Sequence, residues 1–109
     1  MNTDPIRGKT IRWTFVDGPV ANKTFEHTFD QGGAVTFRVV EGSNGGKPGG
    51  AKKYEVAEVG ADVWAVSYLA PSGYTLTVVL DYRTHRLVAF ASNEKDLTLQ
   101  KGTFEAPAS

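Results

Sequence analysis

The sequence predicts an all-β fold, an eight-stranded antiparallel up-and-down barrel. Three observations lead there. Short runs rich in Thr, Val, Phe, Tyr and Trp alternate with turn signals along the whole chain, and such side chains suit a pleated sheet better than a helix. No stretch carries apolar residues at helical spacing over three turns. The runs present one apolar face each, which closure of the sheet would bury.

The elements follow in order. Lys9 to Val16 ends at Asp17-Gly18-Pro19, and Lys23 to Asp30 ends at Gln31-Gly32-Gly33. Ala34 to Glu41 leads into a glycine-rich loop, Gly42 to Gly50. Lys52 to Val59 turns at Gly60-Ala61-Asp62 into Val63 to Ala70. Pro71-Ser72-Gly73 precedes Tyr74 to Asp81, and Tyr82 to His85 precedes Arg86 to Asn93. Glu94-Lys95-Asp96 then leads into Leu97 to Phe104. Connections this short join antiparallel neighbours, because parallel crossovers need a dozen or more residues.

Alternate side chains point to opposite faces of a strand. Ile11, Trp13 and Phe15 thus oppose Thr10, Arg12 and Thr14. Phe25, His27 and Phe29 oppose Thr24, Glu26 and Thr28; Val35, Phe37 and Val39 share a third face. Tyr74, Leu76, Val78 and Leu80 share another. The fifth run splits Trp64, Val66 and Tyr68 from Val63, Ala65 and Leu69, and the bulkier aromatic set is placed inward. A two-sheet sandwich is the architectural alternative; it usually needs longer crossing connections, and only Gly42 to Gly50 is long.

At 109 residues the chain suits one domain, read as residues 8–104 between an N-terminal tail, 1–7, and a C-terminal tail, 105–109. It contains no cysteine, which excludes thiol nucleophiles and thiolate metal sites. Twelve basic residues balance twelve acidic ones without clustering, so nucleic acid and anionic membrane surfaces are not expected partners. The opening Met1-Asn2-Thr3-Asp4-Pro5 lacks a secretory pattern, and a cytoplasmic location is expected.

An eight-stranded barrel has room for its own side chains or for one small ligand. The inward set here is aromatic with a polar minority, His27 and the hydroxyls of Tyr54, Tyr68 and Tyr74. Pockets for small molecules share that make-up. The expected ligand-binding residues are Trp13, Phe15, His27, Phe37, Tyr54, Trp64, Tyr68 and Tyr74. Other motifs point to no chemistry. His27 and His85 lie on different elements with no third metal ligand suggested. Gly46-Lys47 lacks the remainder of a phosphate loop, with Pro48 where Ser or Thr is required. Ser72 is a turn residue with no base placed to activate it. Nothing calls for a cofactor or metal, and no catalytic residue is assigned.

The segment from Val63 to Leu76, VWAVSYLAPSGYTL, resembles the "(Y)xVSWxEPxGxxVxL" stretch of small calycin-like barrels, the MoaF-like family and the phenolic acid decarboxylases. Ile11 to Gly18 is similar to their first strand and "DG" turn, and Glu41-Gly42 with its following glycines to their "HSG…GG" segment. The resemblance spans roughly Gly8 to Phe104. It implies a lipocalin-like barrel with a cavity for a small organic molecule. It does not imply decarboxylation: the positions matching that family's two tyrosines, arginine and glutamate hold Trp13, Phe15, Ala51 or Lys52, and Ala70. The MoaF-like branch is the nearer one.

Three functions compete on the sequence. The first is a binding module holding a small apolar or aromatic molecule. The second is a lyase- or isomerase-type enzyme using His27 with Tyr54 or Tyr68. The third is a ligand-free interaction module pairing as a homodimer through Val63, Ala65 and Leu69 beside Thr77 and Val79.

Overall fold

The computed structural model describes residues 4–18, 21–41 and 49–105. Nine strands form one antiparallel sheet: β1 (Thr10–Phe15), β2 (Thr24–Phe29), β3 (Val35–Glu41), β4 (Gly49–Ala51), β5 (Tyr54–Gly60), β6 (Val63–Leu69), β7 (Thr75–Asp81), β8 (Arg86–Ser92) and β9 (Leu97–Glu105). Their order is β4-β3-β2-β1-β9-β8-β7-β6-β5, and the described residues contain no helix. The sheet is a nearly closed barrel. First and last strands of the meander meet, with Trp13 opposite Phe104 and Phe15 opposite Gly102. That junction demands glycine: a Cβ on Gly102 would overlap the Thr14 carbonyl oxygen.

Eight of these strands lie where the sequence puts them, to within one or two residues at most ends. The addition is β4, three residues at the end of the glycine-rich loop, pairing Val35 with Ala51 and Phe37 with Gly49. A strand forms there because the Phe37 ring lies on the Gly49 backbone, 2.5 Å from where a Cβ would be. The remainder of that loop, residues 42–48, lies outside the described residues.

Between β4 and β5 the ladder is interrupted, and Tyr54 bridges the seam. Its amide donates to the Gly33 carbonyl at 3.0 Å, and its hydroxyl to the Asp30 carbonyl at 2.7 Å. The edge of its ring meets Phe29, 5.1 Å between centroids, and the Arg7 guanidinium covers it.

Parity separates the two surfaces of the sheet. Ile11, Trp13, Phe15, His27, Phe29, Val35, Val66, Tyr68, Val78, Leu80, Leu87, Ala89, Gln100 and Phe104 are buried within. Ile6 joins them with no exposed surface, although it belongs to the segment read from the sequence as a tail. The Asp4 carboxylate accepts its amide, and Gly8 N–H donates to the Phe29 carbonyl, so this segment closes one end of the core.

The outer surface has two characters. Over β1–β3 it is a polar ladder: Thr10 with Thr28, Thr14 with Thr24, and Glu26 between Arg12 at 2.8 Å and Arg38 at 3.1 Å. The guanidinium of Arg12, then that of Arg38, holds the Glu26 carboxyl below its ordinary range against an opposing desolvation. Over β6–β9 the cross-strand rows are Leu69-Thr75-Ser92-Leu97, Ser67-Thr77-Phe90-Leu99 and Ala65-Val79-Val88-Lys101. Lys101 is the one charge among them.

Candidate functional site

The barrel interior is incompletely filled. A cavity of about 350 Å³ opens among Trp13, Phe15, Phe25, His27, Phe37, Tyr68, Ala70, Ser72, Tyr74, Leu76, Ala91 and Gln100. That lies at the small end of ligand pockets, roughly 300–1,000 Å³. No Lys, Arg, Asp or Glu lines it among the described residues.

His27 is its polar centre, held by strand geometry. Ile11 and Phe37 flank His27 across the ladders, and Trp13 lies one pair along β1, opposite Phe25. Diagonal neighbours on one face come within reach of aromatic side chains. The Trp13 ring accordingly stacks on the imidazole, 3.8 Å between centroids and 25° between planes. Phe29 and Phe37 lie 5.9 and 5.3 Å away. Phe37 in turn stacks on Tyr68 at 5.6 Å.

The imidazole Nε2 and the Tyr68 hydroxyl form a 2.8 Å hydrogen bond. Nδ1 is buried with no partner among the described residues. Such a group costs about 1–3 kcal/mol in desolvation. Two neutral arrangements satisfy the bond. Either the phenol donates to Nε2 and Nδ1 carries the ring proton, or Nε2–H donates to the phenol oxygen and Nδ1 is an acceptor. His27 is 2% exposed, and desolvation lowers its pKa to about 3. The same burial raises that of the Tyr68 hydroxyl. At neutral pH the pair is uncharged. An imidazole titrating near 3 is a weak proton acceptor.

Six of the eight residues expected from the sequence line this cavity: Trp13, Phe15, His27, Phe37, Tyr68 and Tyr74. Trp64 and Tyr54 do not. Trp64 has the inward parity but pairs with Leu80, four residues from Tyr68 along β6, or about 13 Å at strand rise. Tyr54 adjoins Tyr68 across the ladder but spends its hydroxyl on the seam. Of the two acid–base pairings weighed for an enzyme, His27 with Tyr68 is in hydrogen-bond contact, whereas Tyr54 bonds the Asp30 carbonyl instead. Phe25, Ala70, Ser72, Leu76, Ala91 and Gln100 line the cavity too, though none is among the eight expected. Inward parity on β7, β8 and β9 is the signal for the last three. The Gln100 amide donates to the Asp17 carbonyl at 3.1 Å, tying β9 to the residues that follow β1.

His85 stays outside the cavity, stacked on Phe104 with its centroid 5.5 Å away. No cluster of potential metal ligands occurs among the described residues. A wider groove of about 780 Å³ follows the seam past Ala34, Gly50, Lys52, Lys53, Leu69 and Pro71. It offers no buried side-chain polar group to orient a guest.

The family model described as the MoaF N-terminal domain matches residues 1–96. The chain belongs to that family. Among solved structures, this MoaF-family barrel is similar to a crystal structure from Burkholderia vietnamiensis described as "a putative beta-lactamase". The two are 19% identical over 98% of this chain and 100% of that one, with a TM-score of 0.78. At that identity the likeness concerns the fold alone. No curated protein matches the sequence. No helix among the described residues is long and apolar enough to cross a membrane.

Proposed function

We propose that this MoaF-family barrel is a small-molecule-binding protein that holds one largely apolar guest inside its sheet. The observation that carries the reading is the cavity, walled by aromatic rings around the neutral His27–Tyr68 pair. Burial of an apolar guest against such walls contributes about 25 cal/mol for each Å² removed from water. Ser72, Tyr74 and Gln100 among the lining residues give a polar atom of the guest a place to bond. Ala91, half-buried on β8, tests it. In Ala91→Phe a ring occupies the cavity, so guest binding followed by calorimetry is lost while strand circular dichroism persists. Undiminished binding would place the guest elsewhere.

A second reading concerns assembly, because a specific surface favours it. The three charge-poor rows of β6–β9 cover about 19 by 20 Å at ordinary strand spacings. Leu97 is 75% exposed there, Leu69 63%, Leu99 49% and Phe90 40%. We assign this face to a second copy of the chain. A two-fold axis along the strands lays β6 of one copy over β9 of the other, bringing Lys101 toward the partner copy's exposed Glu55 at the β5 margin. The footprint of about 400 Å² is half the roughly 800 Å² per partner of a stable interface. A weak dimer, half-formed at micromolar or higher concentration, is expected. Sedimentation equilibrium tests it, and a monomer up to millimolar concentration contradicts it.

A further inference from the structure

Resting on the binding reading above, we infer that the cavity selects an uncharged aromatic guest of about two fused rings bearing one carboxamide or hydroxyl group, and rejects the corresponding anions and cations. Size follows from the volume: 350 Å³, at about 30 Å³ for each non-hydrogen atom in a condensed phase, admits on the order of a dozen atoms. Ring character follows from the walls. Trp13, Phe15, Phe25, Phe37, Tyr68 and Tyr74 offer flat faces and edges, which favour stacked or edge-on rings over branched aliphatic chains.

Charge selection follows from what the walls lack. A carboxylate entering this space loses its water and meets no cation among the lining residues. The one titratable group able to supply positive charge, His27, is neutral because its ring is stacked on Trp13 and shut off from water among Phe29, Phe37 and Tyr68. An ammonium ion meets no carboxylate either. A buried unpaired charge costs several kcal/mol even after relaxation, far more than one hydrogen bond returns. A carboxamide pays no such cost. It carries both a donor and an acceptor, so it can bond the polar side chains that line the cavity, Ser72, Tyr74 and Gln100, as can a hydroxyl.

The test uses the full chain and three probes of one shape: 2-naphthamide, 2-naphthoate and 2-naphthylmethylamine. Binding is followed by calorimetry and by the two tryptophan indole N–H resonances. We expect 2-naphthamide to bind at least tenfold more tightly at pH 7 than either charged probe, shifting Trp13 and leaving Trp64 in place. The acid is expected to bind only in its protonated form, so its apparent affinity rises about tenfold from pH 7 to pH 6 while that of the amide is constant. In His27→Leu the preference for the amide over the naphthoate should be unchanged, because the neutral imidazole supplies no charge to the cavity; a preference that falls tenfold overturns the charge selection. Equal or tighter binding of the naphthoate at pH 7, with Trp13 shifted, overturns the charge selection and leaves the binding reading standing. Failure of all three probes and naphthalene to shift Trp13 overturns both. The comparison among probes on the unmodified protein stands even if His27→Leu does not fold.

Discussion

Acid should loosen this barrel through one residue. Desolvation lowers His27 from 6.5 to about 3. Between those values the unfolded chain binds a proton that the folded chain refuses, so each step down in pH favours unfolding. The contribution is fully present above pH 6.5 and lost as the pH falls, at a limiting slope of about 1.4 kcal/mol per pH unit. From pH 6.5, where the unfolded imidazole is half protonated, to pH 4.5 the loss is about 2.3 kcal/mol, a large part of the 5–15 kcal/mol that typically stabilises a domain. Glu26, whose pKa is also lowered, loses stability in the same direction at lower pH. The control is therefore His27→Gln, which cannot titrate but can still bond the Tyr68 hydroxyl. Urea unfolding of both proteins at pH 6.5 and 4.5 isolates the term, since Glu26 is common to both. The unmodified barrel should lose about 2–3 kcal/mol more than the variant. Equal losses in the two proteins would show that His27 protonates freely in the folded state, and the dry, uncharged site would go with it.

Gly102→Ala should destabilise by about 2 kcal/mol or more, because the new methyl collides with rigid backbone at Thr14. A melting temperature lowered by about 10 °C reports it, and an unchanged one refutes the tight β1–β9 junction. Tyr54→Phe removes the bond to the Asp30 carbonyl and should cost about 1 kcal/mol in thermal or urea unfolding. Because Tyr54 is off the cavity, guest affinity should not change, and a tenfold loss would return it to the site. Leu97→Glu should abolish self-association by sedimentation without altering the melting temperature, since that side chain is mostly exposed; persistent dimer would move the interface elsewhere.

Parity was the legible part of this sequence. It placed Ile11, Trp13, Phe15, His27, Phe29 and Val35 inside, where they are buried, because an antiparallel meander with polar partners at Thr10, Arg12 and Glu26 has one consistent choice of faces. Height within the barrel was not legible. Trp64 and Tyr68 share a face, yet only the pairing of Trp64 with Leu80 and of Tyr68 with Leu76 shows which one reaches the cavity. Strand β4 was hidden because Gly49-Gly50-Ala51 has no β-forming side chain; the Phe37 ring creates the need for it. Gln100 shares the inward parity of Phe104, but nothing in the sequence pairs it with Asp17, far along the chain, whose carbonyl accepts from its buried amide. Ile6 looks like part of a tail until the Phe29 carbonyl is seen to hold the neighbouring Gly8 amide.

A crystal structure of the full chain grown with 2-naphthamide would weigh most heavily on the account. It should show the naphthalene rings between Trp13, Phe37 and Leu76, with the amide bonded to a polar lining side chain, Ser72, Tyr74 or Gln100. A guest confined to the groove past Lys52 and Pro71, or an interior in which side chains have closed the space entirely, would contradict it.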